Sequence, residues 1–273
     1  MNSKIGILGC GWLGFALAKK LISQDYTVLG TTTTRANLEI LKQEGISPFY
    51  VEIFKDGAKG HLIDFLKEVD ILIVNIPPKR KSDTSDYFNK IDQLHEACKI
   101  MHLEKVIFVS STSVYGELQG VVTEKSKPKP VSASAKAVLK AEKLFTEDAS
   151  ISSTIVRFGG LIGPDRHPVT YLSGQQNLSN GDEPINLIHL EDCLDILISI
   201  ITENWWNKLI NGVYPLHPLK RDFYVQEARK RGLTQPSYTK SYAGKSGKEV
   251  KAKTLQSLGF QFKKPIDGSE PQP

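Results

Sequence analysis

The chain has 273 residues, of which 40% are hydrophobic and 24% are charged, and its formal net charge at pH 7 is +5. This length and composition are typical of one large α/β domain, with or without a small appendage. Basic residues occur only in short runs among acids, and no apolar stretch reaches membrane-spanning length, so we predict neither a nucleic-acid partner nor a membrane span. The three cysteines lie far apart without metal-binding or disulfide spacing, which predicts no metal site and a cytoplasmic location.

Short apolar runs alternate with stretches of helical periodicity from the start of the chain to residue 158. In chain order, the predicted elements are strand Lys4–Leu8, helix Trp12–Ser23, strand Thr27–Gly30, helix Arg35–Glu44, strand Pro48–Val51, helix His61–Lys67, strand Ile71–Asn75, helix Asp86–His102, strand Val106–Ser110, helix Ala133–Phe145 and strand Thr154–Phe158. Repeated strand–helix units imply right-handed crossovers, and therefore a parallel sheet with helices on both faces. We predict an α/β fold with a doubly wound Rossmann sheet over residues 1–158.

The regular alternation ends after residue 158. Gly159-Gly160, Gly163-Pro164 and the stretch Asn177–Pro184 are typical of loops. The elements predicted beyond them are helix Leu190–Ile201, a strand near Gly212–Pro215, helix Phe223–Arg231 and helix Lys248–Leu258, which Gly259 ends. We predict that residues 159–273 form a small cap over the substrate and the last elements of the sheet.

A glycine-rich turn connects the first predicted strand to the first helix. Gly9, Gly11 and Gly14 have the spacing of a dinucleotide-binding turn, in the strand–turn–helix context that the motif requires. The first glycine permits the tight turn, the second lets the backbone approach a pyrophosphate, and the third lets helix and strand pack closely. The residues expected to bind the cofactor here are Gly9, Cys10, Gly11, Trp12, Leu13 and Gly14. The alternative is a structural turn without a ligand.

The end of the second predicted strand bears on which dinucleotide is bound. An acidic residue there would favour NAD, but residues 30–35 read Gly-Thr-Thr-Thr-Thr-Arg. The hydroxyls of Thr32 and Thr33, together with Arg35, would suit a 2′-phosphate, so we predict NADP(H) in preference to NAD(H). The alternative is that a threonine caps the next helix while Arg35 faces solvent.

The loop after the fourth predicted strand contains Asn75, Ile76 and Pro77. We expect these residues to border the cofactor, because ligands of such sheets bind at the carboxyl ends of the strands. A simple proline-enforced loop is the alternative.

Four segments, in order and covering nearly the whole chain, resemble the extended short-chain dehydrogenase/reductase family, also called NAD-dependent epimerases/dehydratases. They are the glycine turn, Val109–Gly116, Val156–Pro164 and Asn186–Asp192. The segments Gly11–Gly14 and Gly163–Pro168 are similar to an atypical subgroup of that family.

The resemblance implies roles for individual residues. It places Ser111 at the hydroxyl position that assists the catalytic tyrosine. The residues it places beside the cofactor are Ser110, Lys136, Phe158 and Gly159. It places Tyr115 beside the substrate, where we also expect Ser113, Arg166 and His167. It also suggests a homodimer formed through the helices before and after the fifth strand.

The family's catalytic tyrosine, with a lysine four residues later, is missing from this sequence. Aligning the chain at Pro130 and Ala141-Glu142 puts Ser134 at the tyrosine position and Val138 at the lysine position. Shifted registers pair Ser132 with Lys136 or Lys136 with Lys140, and none supplies a tyrosine. A positioned general acid/base contributes about 10²–10⁴-fold in rate, so this loss bears directly on function.

Tyr115 is the candidate replacement acid/base, although the matching tyrosine of the family contacts substrate or packs in the core. Lys136 would reach the ribose or face solvent. Arg166 and His167 would bind an anionic substrate or donate a proton, and a pair that only holds a turn is the alternative. His189 and Asp192 are expected to cap and orient the late helix, and contact with a ligand is the alternative.

Three functional hypotheses follow. The first is an NAD(P)-dependent enzyme acting on a small carbonyl or sugar-nucleotide substrate, with Ser111 and Tyr115 replacing the missing pair. The second is a catalytically silent NADP(H)-binding redox sensor, which the missing pair favours. The third is an interaction protein whose fold binds no dinucleotide.

Overall fold

The computed structural model describes residues 3–78, 85–118, 120–239 and 247–268. As far as residue 158, the strands and helices are β1 (Lys4–Leu8), α1 (Trp12–Ile22), β2 (Thr27–Thr32), α2 (Ala36–Gln43), β3 (Ser47–Phe54), β4 (Gly57–Gly60), α3 (Leu62–Lys67), β5 (Ile71–Val74), α4 (Ser85–Ile100), β6 (Lys105–Ser111), β7 (Gly120–Val122), α5 (Ala133–Thr146) and β8 (Ser152–Phe158). Beyond it they are β9 (Gly160–Ile162), α6 (Pro168–Leu172), β10 (Leu187–His189), α7 (Leu190–Thr202), β11 (Leu209–Gly212), α8 (Lys220–Lys230), β12 (Lys248–Val250) and α9 (Lys253–Ser257). A 3-10 turn, Thr112–Tyr115, follows β6.

The chain divides into two compact units. Unit 1 contains residues 1–114, 130–157 and 196–209, and unit 2 contains residues 115–129, 158–195 and 210–273. The chain therefore passes between the units more than once, and one passage falls between Arg157 and Phe158.

The main sheet has eight strands in the order β11-β8-β6-β5-β1-β2-β3-β4. The neighbours β6, β5, β1, β2 and β3 pair in parallel, which confirms the predicted doubly wound sheet. All four residues of β5 are buried, as expected for a strand covered by helices on both faces. The edge strand β4 was not predicted, and it forms an antiparallel hairpin with β3.

The register of the central strands decides which residues meet at the carboxyl edge of the sheet. Ile7 of β1 pairs with Gly30 of β2 and with Ile73 of β5. Since these strands run in parallel, the residues that follow β1, β2 and β5 emerge at the same edge. The glycine turn, the threonine run and the Asn75 loop are thereby gathered in unit 1.

Unit 2 contains two small parallel sheets, β9 with β10 and β7 with β12. Its core is a cluster of apolar side chains: Ile162, Val169, Ile185, Leu187, Phe223, Tyr224, Ala228 and Ile266. Among the described residues of both units, no helix combines the length and apolar character needed to cross a bilayer.

Two late sequence predictions were wrong in detail. The predicted strand near Gly212–Pro215 lies earlier, at β11. The predicted helix Lys248–Leu258 is instead β12 followed by the short α9, because Lys248–Val250 finds a parallel partner in β7. The carboxylate of Glu124 accepts the backbone N–H groups of Lys253 and Thr254, which fixes the start of α9. Gly259 does follow this helix, with φ +73°.

Candidate functional site

The turn after β1 is held by the ends of two neighbouring strands. Gly9 has φ +104°, a conformation that favours glycine. Its N–H donates to Oγ1 of Thr31 at 2.9 Å, and its carbonyl accepts from Nδ2 of Asn75 at 3.0 Å. The side chains of Thr31 and Asn75 therefore hold the turn, and the sheet register brings both of them to it.

Gly11 and Gly14 differ in what surrounds them. A Cβ added at Gly14 would lie 2.3 Å from the carbonyl oxygen of Gly9, so close packing of helix on turn excludes a side chain there. A Cβ added at Gly11 would meet nothing within 4 Å. Gly11 precedes the first residue of α1, and within the described chain no side chain caps that helix. The backbone is thus open at a helix N-terminus, where N–H groups and the helix dipole favour an anion.

A cavity of about 340 Å³ opens at this turn, entirely within unit 1; we call it the unit 1 cavity. The predicted cofactor residues that line it are Gly9, Cys10, Gly11, Thr32, Thr33, Asn75, Ile76 and Pro77. Lining residues that the sequence analysis did not single out include Thr31, Thr34, Asn37, Glu52, Tyr87 and Lys90.

Trp12, Leu13 and Gly14 of the predicted turn set lie outside the lining of the unit 1 cavity. Leu13 is buried and Trp12 is half-buried. Burial raises the pKa of the Cys10 thiol to about 12, which keeps the thiol protonated at neutral pH.

The end of β2 presents hydroxyls and a cation, but the cation lies outside the cavity lining. Thr32 Oγ1 accepts the N–H of Thr34 at 3.1 Å. Arg35 is exposed, and its guanidinium lies 4.8 Å from the ring centroid of Tyr50. The Tyr50 hydroxyl donates to Glu52 at 3.2 Å, which places a carboxylate on the cavity wall. The one sequence signal for Glu52 was its place at the carboxyl end of a strand.

The loop after β5 is anchored from α4. The hydroxyl of Tyr87 donates to the carbonyl of Ile76 at 3.1 Å, and the tyrosine is 6% exposed. Since Tyr87 and Ile76 both line the unit 1 cavity, this bond fixes one of its walls.

Ser110 lies in a buried ionic network of unit 1. Its hydroxyl donates to Glu142, whose carboxylate also accepts from Nε of Arg157 at 2.9 Å and from Nη2 at 2.6 Å. Ser110, Glu142 and Arg157 are all buried. The hydroxyl of Ser110 therefore joins β6, α5 and β8. Its proton is used in this network and is not available to a cofactor.

Ser111 and Ser113 occupy the turn that follows β6. Oγ of Ser111 accepts the N–H of Ser113 at 3.1 Å, and this contact leaves the hydroxyl proton of Ser111 to donate elsewhere. Ser111 is half-buried and Ser113 is exposed.

Tyr115 belongs to unit 2 and is 0% exposed. Its hydroxyl donates to Oδ1 of the equally buried Asn211 at 2.8 Å, and the Asn211 amide donates to the carbonyl of Lys251. A phenol enclosed in this way packs the core of unit 2, which was the other role considered for it. Its geometry does not suit a proton donor to substrate.

Helix α5 carries no replacement for the missing pair. The hydroxyl of Ser132 caps the helix by accepting the N–H of Ala135. Lys136 is exposed and Val138 is buried. Lys136 therefore matches the solvent-facing alternative.

Phe158 and Gly159 lie at the start of residues 158–195, the second of the three chain segments that make up unit 2. Phe158 is buried, and the N–H of Gly159 donates to the carbonyl of Gly212 at 3.0 Å. A Cβ at Gly159 would lie 2.5 Å from the carbonyl oxygen of Asn186. Glycine is required here by close backbone packing inside unit 2.

Arg166 and His167 are adjacent in sequence but differ in environment. Arg166 is exposed, whereas His167 is buried, stacked on Phe223, and accepts the N–H of Val169 with Nδ1. Burial lowers the pKa of His167 to about 4, so the imidazole is neutral at neutral pH.

His189 and Asp192 lie at the start of α7. His189 caps α7, since its Nδ1 accepts the N–H of Glu191. Asp192 is fully buried and accepts the N–H groups of Lys263 and Lys264, an arrangement that the sequence did not reveal.

The chain is similar to known proteins over most of its length. Residues 5–204 match the model of the NAD dependent epimerase/dehydratase family. Protein YeeZ of Escherichia coli strain K12 is 30% identical over 265 residues, 96% of this chain and 96% of its own. This similarity confirms the resemblance to the atypical subgroup, which YeeZ typifies.

Two solved structures share the fold. UDP-glucuronic acid 4-epimerase from Bacillus cereus in complex with NAD has a TM-score of 0.78 at 22% identity, covering 97% of this chain and 95% of that chain. UDP-glucose 4-epimerase from Thermotoga maritima with UDP-glucose has a TM-score of 0.77 at 16% identity, with coverage of 97% and 95%. With its glycine turn, its parallel sheet and its family match over most of its length, this chain belongs to the NAD-dependent epimerase/dehydratase family.

Proposed function

We propose that the chain binds a nicotinamide dinucleotide in the unit 1 cavity and acts as an epimerase-like oxidoreductase on a small carbonyl or sugar-nucleotide substrate. The observation that carries this proposal is the open space in front of Gly11 at the start of α1. The family membership supports the cofactor class. The epimerases solved with NAD and with UDP-glucose support the cofactor and substrate classes further.

The residues present fit the diphosphate of such a cofactor. The open backbone at Gly11 and the amides that begin α1 would hold it, and Thr31 and Asn75 keep the turn in shape. When bound, the nicotinamide supplies a hydride donor or acceptor. Tyr87, through its bond to Ile76, holds the loop that borders the cavity.

For the cofactor preference we propose NADP(H) over NAD(H). The support is the hydroxyl-rich run from Thr31 to Thr34, which lacks an acid, and the exposed Arg35 beside it. Arginine binds phosphate through several donors, and Arg35 would exchange its contact with the Tyr50 ring for the phosphate. Glu52 on the cavity wall would accept from a ribose hydroxyl that carries no phosphate.

For proton transfer we propose Ser111, whose O–H is left to donate to a substrate oxygen. A serine hydroxyl is a much weaker acid than a phenol, so we expect slow turnover. A rate roughly 10²–10⁴-fold below that of an enzyme with a positioned tyrosine would fit this assignment.

A second candidate function is a catalytically silent NADP(H) sensor. The observation that favours it is the enclosure of Tyr115 against Asn211, together with Val138 at the lysine position. A sensor would bind the oxidised and reduced cofactors with unequal affinity and transmit that difference to a partner.

The family resemblance also favours a homodimer through the helices on either side of β6. We place the protein in the cytoplasm, because the three cysteines, all among the described residues, are free, which suits a reducing compartment.

Calorimetric titration with NADP, NADPH, NAD and NADH tests the proposal. We expect binding to the native chain and a loss of at least tenfold in Gly11→Asp, where a carboxylate would face the diphosphate. Gln24→Asp adds the same charge beyond the opposite end of α1 and should bind as the native chain does. No binding of any dinucleotide to the native chain would overturn the proposal.

Hydride exchange with a panel of carbonyl and sugar-nucleotide substrates then separates enzyme from sensor. Turnover that Ser111→Ala abolishes supports the enzyme. Cofactor binding without turnover, with unequal oxidised and reduced affinities, supports the sensor.

A further inference from the structure

Unit 2 contains a cleft of about 750 Å³ that shares none of its described lining residues with the unit 1 cavity. We call it the unit 2 cleft. Its volume lies in the range typical of small-molecule sites. The basic and imidazole side chains that line it are His167, His189, Lys230, Arg231, Lys263 and Lys264.

The tautomer of His167 is fixed by its place at the start of α6. Because Nδ1 accepts the N–H of Val169 and the ring is neutral, the ring proton lies on Nε2. His167 is 3% exposed, and within the described residues its Nε2 has no hydrogen-bond partner. The carboxylate of Glu227 lies 3.8 Å away, beyond hydrogen-bond range. A buried donor without an acceptor is costly, so this N–H calls for a ligand oxygen.

His189 has the same arrangement at the start of α7. Its Nδ1 accepts the N–H of Glu191 at 3.2 Å, and burial lowers its pKa. Because Nδ1 accepts this hydrogen bond, the ring proton of His189 lies on Nε2 as well. Two imidazoles of one cleft are thus held as donors by the backbone groups that they cap.

The charged groups of the cleft favour an anion. Four cationic side chains line it, against the carboxylates of Glu227 and Asp267. Glu227 is buried between Lys230, at 3.1 Å, and Arg231, at 3.3 Å.

The remaining cations of the cleft pair with acids that do not line it. Lys263 pairs with Asp195, and Lys264 pairs with Glu191 at 3.5 Å. The side chains of Lys264 and Glu191 are 47% and 51% exposed, so this ion pair contributes little and Lys264 is able to turn to a ligand. The side chains of Lys230 and Lys263 are 44% and 68% exposed, whereas their partners Glu227 and Asp195 are buried to 6% and 14% exposure.

We propose that the unit 2 cleft binds a small molecule carrying a phosphate group, whose oxygens accept from the Nε2–H groups of His167 and His189 and pair with the surrounding lysines. A phosphate offers three strong acceptor oxygens and close to two negative charges, which matches donors arriving from several chain segments better than a carboxylate does. This site is separate from the proposed cofactor site and does not depend on it.

The proposal is tested by titrating the full chain with inorganic phosphate, with glucose 1-phosphate and with glucose. We expect both phosphates, and not glucose, to shift the imidazole ¹⁵N resonances of His167 and His189 and to release or absorb heat. Tighter binding of glucose 1-phosphate would identify a phosphorylated metabolite as the source, and equal affinity would identify phosphate itself.

Matched variants locate the binding. Lys230→Met combined with Lys264→Met should weaken phosphate binding by about tenfold or more, since each removes a charge-assisted contact. Lys127→Met combined with Lys129→Met removes the same charge from exposed positions of unit 2 and should leave affinity within about twofold. Gly11→Asp should keep phosphate binding while losing dinucleotide.

Three results would overturn the proposal. They are unchanged histidine resonances at millimolar phosphate, native affinity in the Lys230 and Lys264 variant, and loss of phosphate binding in Gly11→Asp. The last would place the phosphate in the unit 1 cavity.

Discussion

The two cavities of this protein are built in different ways. The unit 1 cavity forms around backbone, and its central feature, the turn Gly9–Gly14, is continuous in sequence. The unit 2 cleft is formed by four separated segments within residues 162–167, 189, 227–231 and 263–268. A backbone site leaves a pattern of residue types at fixed spacing, whereas a side-chain site exists only after the chain has folded. The first was therefore visible in the sequence, and of the second the sequence showed only individual residues such as His167.

The largest effect is expected where unit 1 depends on side chains rather than on its glycine turn. Glu142→Ala leaves the Arg157 guanidinium buried without its carboxylate, and we expect a loss of about 3–5 kcal/mol of unfolding free energy in urea. Glu147→Ala, at the exposed end of the same helix, should cost less than about 0.5 kcal/mol. Equal urea midpoints for the two variants would contradict the role given to the buried pair.

The unfolding free energy should depend on pH through His167 of unit 2. The pKa of His167 is about 4 in the folded chain and 6.5 in the reference state, so the unfolded chain binds more protons between these values. Stability from the neutral imidazole is present above pH 6.5 and is lost as the pH falls toward 4, by up to about 3 kcal/mol. The stability difference between native chain and His167→Gln, measured in urea, should shrink over that window. A constant difference would show that His167 is not buried neutral.

Asp192 provides a control of opposite sign. Burial raises its pKa to about 6 from 3.8, so the folded chain binds more protons between these values. The stability of the native chain relative to Asp192→Asn should therefore rise, not fall, as the pH is lowered from 6 to 4.

The two glycines Gly14 and Gly11 of the glycine turn should respond differently to substitution by alanine. Gly14→Ala places a Cβ against the carbonyl of Gly9 and should cost about 1–3 kcal/mol in unfolding free energy. Gly11→Ala meets open space, so thermal unfolding should be unchanged while dinucleotide affinity falls by roughly tenfold, or 1.4 kcal/mol. If Gly11→Ala destabilised the fold and left affinity intact, the two glycines would have been assigned the wrong roles.

The sequence predicted what is decided locally. The strand–turn–helix unit around Gly9 and Gly14 follows from short-range pattern, and its neighbours β2 and β5 follow from repetition of that pattern. The error at Lys248–Leu258 has a tertiary cause, because β12 exists only by pairing with β7, more than a hundred residues earlier. The placement of Tyr115 was equally out of reach, since its partner Asn211 is 96 positions away and no local pattern links them.

Substitution of Arg35, beside the unit 1 cavity, tests the cofactor preference. Arg35→Ala should weaken NADPH binding by about tenfold or more and leave NADH binding unchanged, because only the 2′-phosphate would need the guanidinium. Lys42→Ala, an exposed cation at the far end of α2, should change neither affinity. Equal losses for both cofactors would show that Arg35 acts on the shared part of the dinucleotide.

The smallest effect is expected at Tyr115, which is buried in unit 2. Tyr115→Phe removes the hydroxyl that donates to Asn211 and leaves a buried acceptor unsatisfied, so unfolding free energy should fall by about 1 kcal/mol. Tyr171→Phe, at a side chain that is 80% exposed, should change nothing. Dinucleotide affinity and any turnover should be native in both variants. Loss of turnover in Tyr115→Phe at native stability would return the acid/base role to Tyr115, and would require the Asn211 bond to open during the reaction.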